Sequence, residues 1–219
     1  MMARLFRRSG KKVGSSPGTL LHVGERKAES VRITVMDYDE GECRELEVSG
    51  LGDCVVYKGT SSTTWINIDG LHEVGIIEEA GKAFELHPLV LEDVLNTQHQ
   101  PKVEEFDDYI FAVMKMLTYD EEACRVRAEQ ISLVLGEGYL LSFQESVGDI
   151  FGPVRKRIKT GRVRIRKSGP DYLLYALMDC IVDHYFLVLE KLGDKIEALQ
   201  ERVAVDPSDE VLKEIHEMK

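Results

Sequence analysis

The chain has 219 residues, 43% of them hydrophobic, which is enough for one large domain, or a compact domain with a helical extension, around a real core. Its 39 acidic residues against 28 basic ones leave a formal charge of −11; this disfavours nonspecific affinity for nucleic acid or anionic lipid and favours small cations as partners, though a merely solvated surface would carry the same balance. Cys43, Cys54, Cys124 and Cys180 form no C-x-x-C pair, so the sequence signals neither a zinc ribbon nor a disulfide framework, and they read as reduced thiols of a cytosolic protein.

The first 30 residues are rich in Gly, Ser, Lys and Arg and read as a mobile tail. The basic start MMARLFRRSGKK has no apolar segment behind it, and no run reaches the roughly 18 to 20 consecutive apolar residues that span a bilayer, so the expectation is a soluble, non-secreted chain. Short β-rich runs follow at 31–38 (VRITVMDY), 43–48 (CRELEV) and 63–69 (TTWINID), separated by Gly and Asp turns. GLHEVGIIEEAGKAF, 70–84, shifts to helical spacing. In HPLVLEDVLN, Pro88 suits a first helical position, and Val90, Leu91, Val94 and Leu95 make an apolar face that leaves Glu92, Asp93 and Asn96 on the polar side. Glu104, Glu105, Asp107 and Asp108 then read as a solvated approach to the next strand. Strands are expected at 109–119, 126–136 and 139–145, the last two joined by a hairpin turn at Gly136-Glu137-Gly138.

The basic segment 155–167, RKRIKTGRVRIRK, lacks interleaved aromatics and is read as an internal or intersubunit counter-charge in preference to a nucleic-acid site. From Pro170 the apolar residues recur at three- and four-residue steps, predicting one helix of about 30 residues. Asp206-Pro207-Ser208 would stop it and cap a second helix that runs to the end without a Gly or Pro stop, as in a piece of something longer. The fold class expected is α/β (α+β): a mixed β-sheet between helical layers over 31–169, followed by a long acidic helical hairpin over 170–219.

On the long helix, Asp179, Asp183, Glu190, Asp194, Glu197 and Glu201 fall within an arc of roughly 60°, away from Lys191, Lys195 and Arg202. Such a face suits a cation, a basic partner surface or open water. Asp179 lies in the apolar stretch LMDCIVDHYF, where a buried carboxylate would need a proton, a cation or hydrogen bonds, and is the stronger candidate ligand. Glu92 and Asp93 offer adjacent oxygen donors that suit Mg²⁺ or Ca²⁺, against the blander reading of favourable charge near a helix N-terminus. His87 and His99 read as cap or packing residues. No phosphate-binding loop, dinucleotide fingerprint or nucleophile elbow is present, so the chain reads as a non-enzyme; a metal-dependent hydrolase or an interaction module using the same carboxylates is the alternative.

TWINIDGLH, HPLVLEDVLN, QPKVEEFDDYIF, EQISLVL, LLSFQE and DYLLYALMDCIVDHYFLVLEKL, in that order, closely resemble the cytoplasmic N-terminal domain of the CorA magnesium and cobalt transporters, from about residue 18 to the end. The resemblance implies a homopentamer at the cytoplasmic face of the cell membrane, with Mg²⁺, and Co²⁺ as a second ion, as ligand. It implies that Asp93 faces a carboxylate on the next subunit's later stalk helix, and that Glu92 and Asp179 contribute to a second site nearby. The partner carboxylate, the rest of the stalk, two transmembrane helices and the Gly-Met-Asn pore signature would follow residue 219. Zinc-transporting relatives share the layout. Gln98-His99-Gln100-Pro101 departs from the family, whose members often carry Arg before the proline.

Overall fold

A computed structural model of the chain describes residues 16, 18–148, 150–161, 164–205, 208, 211 and 213–215. The alternating runs form one sheet of seven strands: β1 (Arg32–Tyr38), β2 (Cys43–Val48), β3 (Thr63–Asp69), β4 (Lys102–Glu105), β5 (Tyr109–Asp120), β6 (Arg125–Gly136) and β7 (Tyr139–Gln144), in the order β2-β1-β3-β7-β6-β5-β4. Every neighbouring pair is antiparallel except β3 and β7, which run parallel with Trp65 opposite Leu140 and Asn67 opposite Ser142.

Because successive side chains of a strand point to opposite faces, each strand feeds two cores. Ile33, Val35, Ile66, Ile68 and Phe143 pack under α1 (Val74–Phe84) and α2 (Pro88–Leu95). Met36, Tyr38, Trp65 and Leu140 pack under α3 (Gly152–Thr160) and α4 (Pro170–Val205). This is the mixed sheet between helical layers that the pattern predicts. At the centre the parallel pair is stitched by a buried polar chain. Trp65 Nε1 donates to Ser142 Oγ at 2.8 Å, Ser142 Oγ to Asn67 Oδ1 at 2.6 Å, and Gln144 Nε2 to Asn67 Oδ1 at 2.7 Å and Asp69 Oδ1 at 2.9 Å.

Two expectations change and a third takes shape. Residues 1–15 and 17 of the tail lie outside the described residues, but the rest of the segment assigned to it lies on the body: Val23, 3% exposed, donates its N–H to the Leu95 carbonyl and accepts from the Thr97 N–H. Glu104 and Glu105 belong to a strand, β4, paired with β5; its side chains are exposed or half-exposed, so no apolar alternation marked it. The basic segment forms α3 and a 3-10 turn, Arg164–Lys167. Val154 and Ile158 enter the core, the Arg155 guanidinium lies 4.4 Å over the Trp65 ring, and Lys159 and Lys167 pair with Glu45 and Glu40, an internal counter-charge.

α4 has 36 residues, about 54 Å at 1.5 Å per residue. By length and composition it could cross a membrane, yet Leu173, Ala176, Leu177, Cys180, Ile181 and Val188 are buried in the domain's own core. Asp206 and Pro207 of the expected stop and cap Asp206-Pro207-Ser208 lie outside the described residues, as do 209, 210, 212 and 216–219. Residues 211 and 213–215 are helical and fold back on α4, with Glu214 Oε2 2.8 Å from Arg202 Nη1 and 3.7 Å from Lys195 Nζ.

Candidate metal-binding face

α2 is built to present Asp93. His87 caps it: the Nδ1 accepts the Leu89 N–H at 3.2 Å, Pro88 begins the first turn, and the His87 N–H is donated to the Tyr109 hydroxyl at 2.9 Å. Val90, Leu91, Val94 and Leu95 anchor its inner face. Gly81 of α1 allows the two helices to meet, since a Cβ there would lie 2.4 Å from Leu91 Cδ1. At the far end Gln130, fully buried on β6, donates Nε2 to the Asp93 carbonyl at 2.9 Å, and Lys115 Nζ donates to the Thr97 carbonyl at 2.8 Å and to Gln130 Oε1 at 3.3 Å. The backbone beneath Asp93 is therefore held from the sheet.

The Asp93 side chain, 13% exposed, has Oδ1 2.6 Å from His99 Nε2 and Oδ2 2.6 Å from Lys102 Nζ. Burial raises the affinity of its carboxyl for a proton, but the hydrogen bonds and charges of His99 and Lys102 outweigh that and hold it below the ordinary aspartate range. Burial likewise opposes the charge of Lys102, and the bonds to Asp93 and Glu104 more than restore it, leaving its pKa raised. His99 thus bonds a candidate ligand and is not a packing residue. Beside it on α2, Glu92 Oε2 accepts the Gly18 N–H at 2.7 Å.

Asp179 is elsewhere. It lies on α4, in the opposite helical layer, and it is exposed, as are Asp183, Glu190, Asp194, Glu197 and Glu201. The expectation of a buried carboxylate is corrected: Cys180 and Ile181 turn inward to the sheet, and the helical rotation carries Asp179 outward. One chain therefore brings Glu92 and Asp93 together and keeps both apart from Asp179. Among the described residues no group of three or more His, Cys, Asp or Glu side chains could hold a metal ion. The donor chemistry nonetheless fits a hydrated Mg²⁺, which takes one or two carboxylates and keeps several waters. A cavity of about 180 Å³ between β5 and α4, lined by Leu117, Tyr119, His184, Leu187 and Lys191 among others, lies on the α4 side and includes none of the three candidate residues.

Sequence reasoning missed Lys102, Lys115 and Gln130. Lys102 stands between Pro101 and the acidic residues read as a solvated approach, and Lys115 and Gln130 lie within strands whose side chains reach α2 only once the sheet is formed.

A family model described as CorA-like Mg2+ transporter protein matches residues 60–219. The cobalt/magnesium transport protein CorA of Thermotoga maritima is 43% identical over 213 residues, 97% of this chain and 60% of its own length. A protein of the same description from Methanocaldococcus jannaschii is 25% identical over 122 residues, 55% of this chain and 38% of its own length. The chain thus spans 60% or less of either relative. The solved soluble domain of CorA from M. jannaschii superimposes with a TM-score of 0.62 at 21% identity, covering 83% of this chain and 68% of that one. The ZntB cytoplasmic domain of Vibrio parahaemolyticus superimposes with a TM-score of 0.52 at 13% identity, covering 84% of this chain and 70% of that one. At these identities the two structures bear on the fold alone.

Proposed function

We propose, from the premise that this chain belongs to the family of CorA-like Mg2+ transporter proteins, that it is the cytoplasmic, divalent-cation-sensing part of a magnesium and cobalt transporter at the cell membrane. It is a regulatory binding part and not an enzyme. Mg²⁺ held between neighbouring copies favours the closed state, and its loss lets the acidic faces separate and the pore open. Glu92, Asp93 and Asp179 are its ligands.

The observation that carries this reading is the placement of the three carboxylates on two opposite layers of one chain. An ion drawing on both sets must sit where the α2 face of one copy meets the α4 face of another, a head-to-tail contact of the kind that closes into rings. A homopentamer repeats that contact around its ring. At tenfold above its dissociation constant, an ion stabilises the bound form by about 1.4 kcal/mol per site, so five weak sites together supply about 7 kcal/mol. That is enough to move a gating equilibrium almost completely.

Limited proteolysis of the full-length protein in the presence and absence of millimolar Mg²⁺ tests the reading. The wild type is expected to be protected by Mg²⁺, and Asp93→Ala and Asp179→Ala to lose most of that protection. If both variants are protected as well as the wild type, the three carboxylates are not the sensor.

A further inference from the structure

The Asp93 carboxylate already holds a cation that belongs to the chain. Lys102 Nζ lies 2.6 Å from Asp93 Oδ2 and 2.9 Å from Glu104 Oε1, and 5.7 Å from the centroid of the Phe111 ring. Lys102 and Glu104 are two residues apart on β4, so the pleat turns both side chains to the same face of that strand. The ammonium therefore sits between two carboxylates, one 13% exposed on α2 and one 44% exposed on β4.

We infer that Lys102 is a tethered competitor for the divalent ion, holding Asp93 when the ion is absent and passing to Glu104 when it arrives. The inference rests on the reading that Asp93 is a ligand. An ion in contact with Asp93 Oδ2 would sit about 2.0–2.1 Å from the oxygen, leaving no room for an ammonium on the same atom and repelling it through their like charge. Lys102 need not be stranded by the exchange. Glu104 is already within bonding distance, so one ion pair breaks while the other is kept, and no uncompensated cation is left in a partly buried position.

The exchange also sets a threshold of charge. A monovalent ion replacing the ammonium swaps one positive charge for another and gains little, whereas a divalent ion adds a charge where two carboxylates and a neighbouring copy can answer it. Lys102 is thus a specificity-determining residue, screening Asp93 from the Na⁺ and K⁺ that outnumber Mg²⁺ around any protein in the cell.

Calorimetric and thermal-shift titrations of the chain with MgCl₂ at fixed ionic strength, with and without NaCl in place of an inert salt, test this. Lys102→Met is expected to bind Mg²⁺ about five- to twentyfold more tightly than the wild type, with NaCl now competing, because the tethered cation is gone. Glu104→Gln is expected to bind more weakly, because the displaced lysine has lost its second acceptor. Lys102→Gln, which keeps a hydrogen-bond donor without the charge, serves if the methionine variant does not fold, and is expected to behave as Lys102→Met. A merely structural Lys102 would lower the melting temperature without raising the affinity for Mg²⁺. Unchanged or weaker Mg²⁺ binding in the lysine variants, with binding abolished by Asp93→Asn, overturns the exchange and leaves the ligand reading standing. Binding that Asp93→Asn does not reduce in any background overturns the ligand reading itself.

Discussion

At the scale of single residues, charge in this molecule is set by how far each group is taken from water. Glu129 is half-buried on β6, and its two oxygens accept the Ser146 N–H at 2.9 Å and hydroxyl at 2.6 Å. Burial pushes its carboxyl pKa up, the two Ser146 bonds pull it down, Glu145 adds to the rise and Lys27 opposes it, with a net value above the ordinary glutamate range. The folded state therefore holds this proton more tightly than the unfolded chain. The stabilisation is fully present below the ordinary value of 4.5 and is lost as pH rises through the higher folded value. Glu129→Gln removes that dependence, so its melting temperature relative to the wild type should climb between about pH 4 and about pH 7. A difference that stays flat over this range in thermal unfolding would show that Ser146 fully compensates the burial. The candidate ligands were legible at this scale for unequal reasons. Glu92 and Asp93 showed as adjacent oxygens on the polar side of a Pro-started helix. Asp179 was found by an argument about burial that the exposed side chain does not meet; the positional match to the family is what singles it out.

Among the elements, α1 ends on a conformation its sequence does not favour. Glu85 sits at the C-terminal cap with φ 56 and ψ 40, the left-handed region where a side chain is strained and glycine is at ease, and its N–H is donated to the Gly81 carbonyl. Glu85→Gly should stabilise the protein by about 0.5–1 kcal/mol in urea unfolding, because the pair it gives up with Lys58 is on the surface and contributes little. A loss of stability would mean that the Lys58 contact outweighs the strain. The same elements explain what pattern reading could reach. β1, β3, β5, β6 and β7 alternate or run apolar between turn residues, so their spans were legible to within a residue or so; α2 and α4 repeat at helical steps, which showed both helices, though α4 at 36 residues is longer than the roughly 30 expected. β4 escaped because an edge strand with exposed side chains owes its existence to backbone pairing with β5. α3 escaped because only Val154 and Ile158 of its residues, with the stem of Arg155, face the core, and Lys156, Arg157 and Lys159 make the rest of its middle strongly basic.

For the whole molecule, the decisive fact is that the candidate ligands look in different directions. If Glu92 and Asp93 on one side and Asp179 on the other are the two halves of one head-to-tail contact, a Glu92→Ala/Asp93→Ala double variant is blind on the α2 face and Asp179→Ala on the α4 face, each competent on the other. Glu92→Ala/Asp93→Ala and Asp179→Ala alone should remain monomeric in Mg²⁺ at matched ionic strength, and a mixture of the two should form one-to-one dimers and grow no further, while the wild type assembles beyond the dimer. Analytical ultracentrifugation distinguishes these outcomes; a wild type that stops at the dimer would indicate a self-complementary contact. This arrangement was not legible from the chain, because which carboxylates share a face is decided by which side of the sheet each helix covers. The parallel join at the centre of the sheet carries a different consequence. β3 and β7 are partners in space but about seventy-five residues apart along the chain, as in the Ser142–Asn67 bond. On a ribosome adding about 5–20 residues per second, the three strands β2-β1-β3 would be complete for seconds while the β3 edge, with Trp65 and Asn67, waits for a partner not yet made. During that interval the nascent sheet is open in its future middle, and the polar stitch through Asn67, Ser142 and Gln144 admits only the strand that brings the matching groups in the correct register.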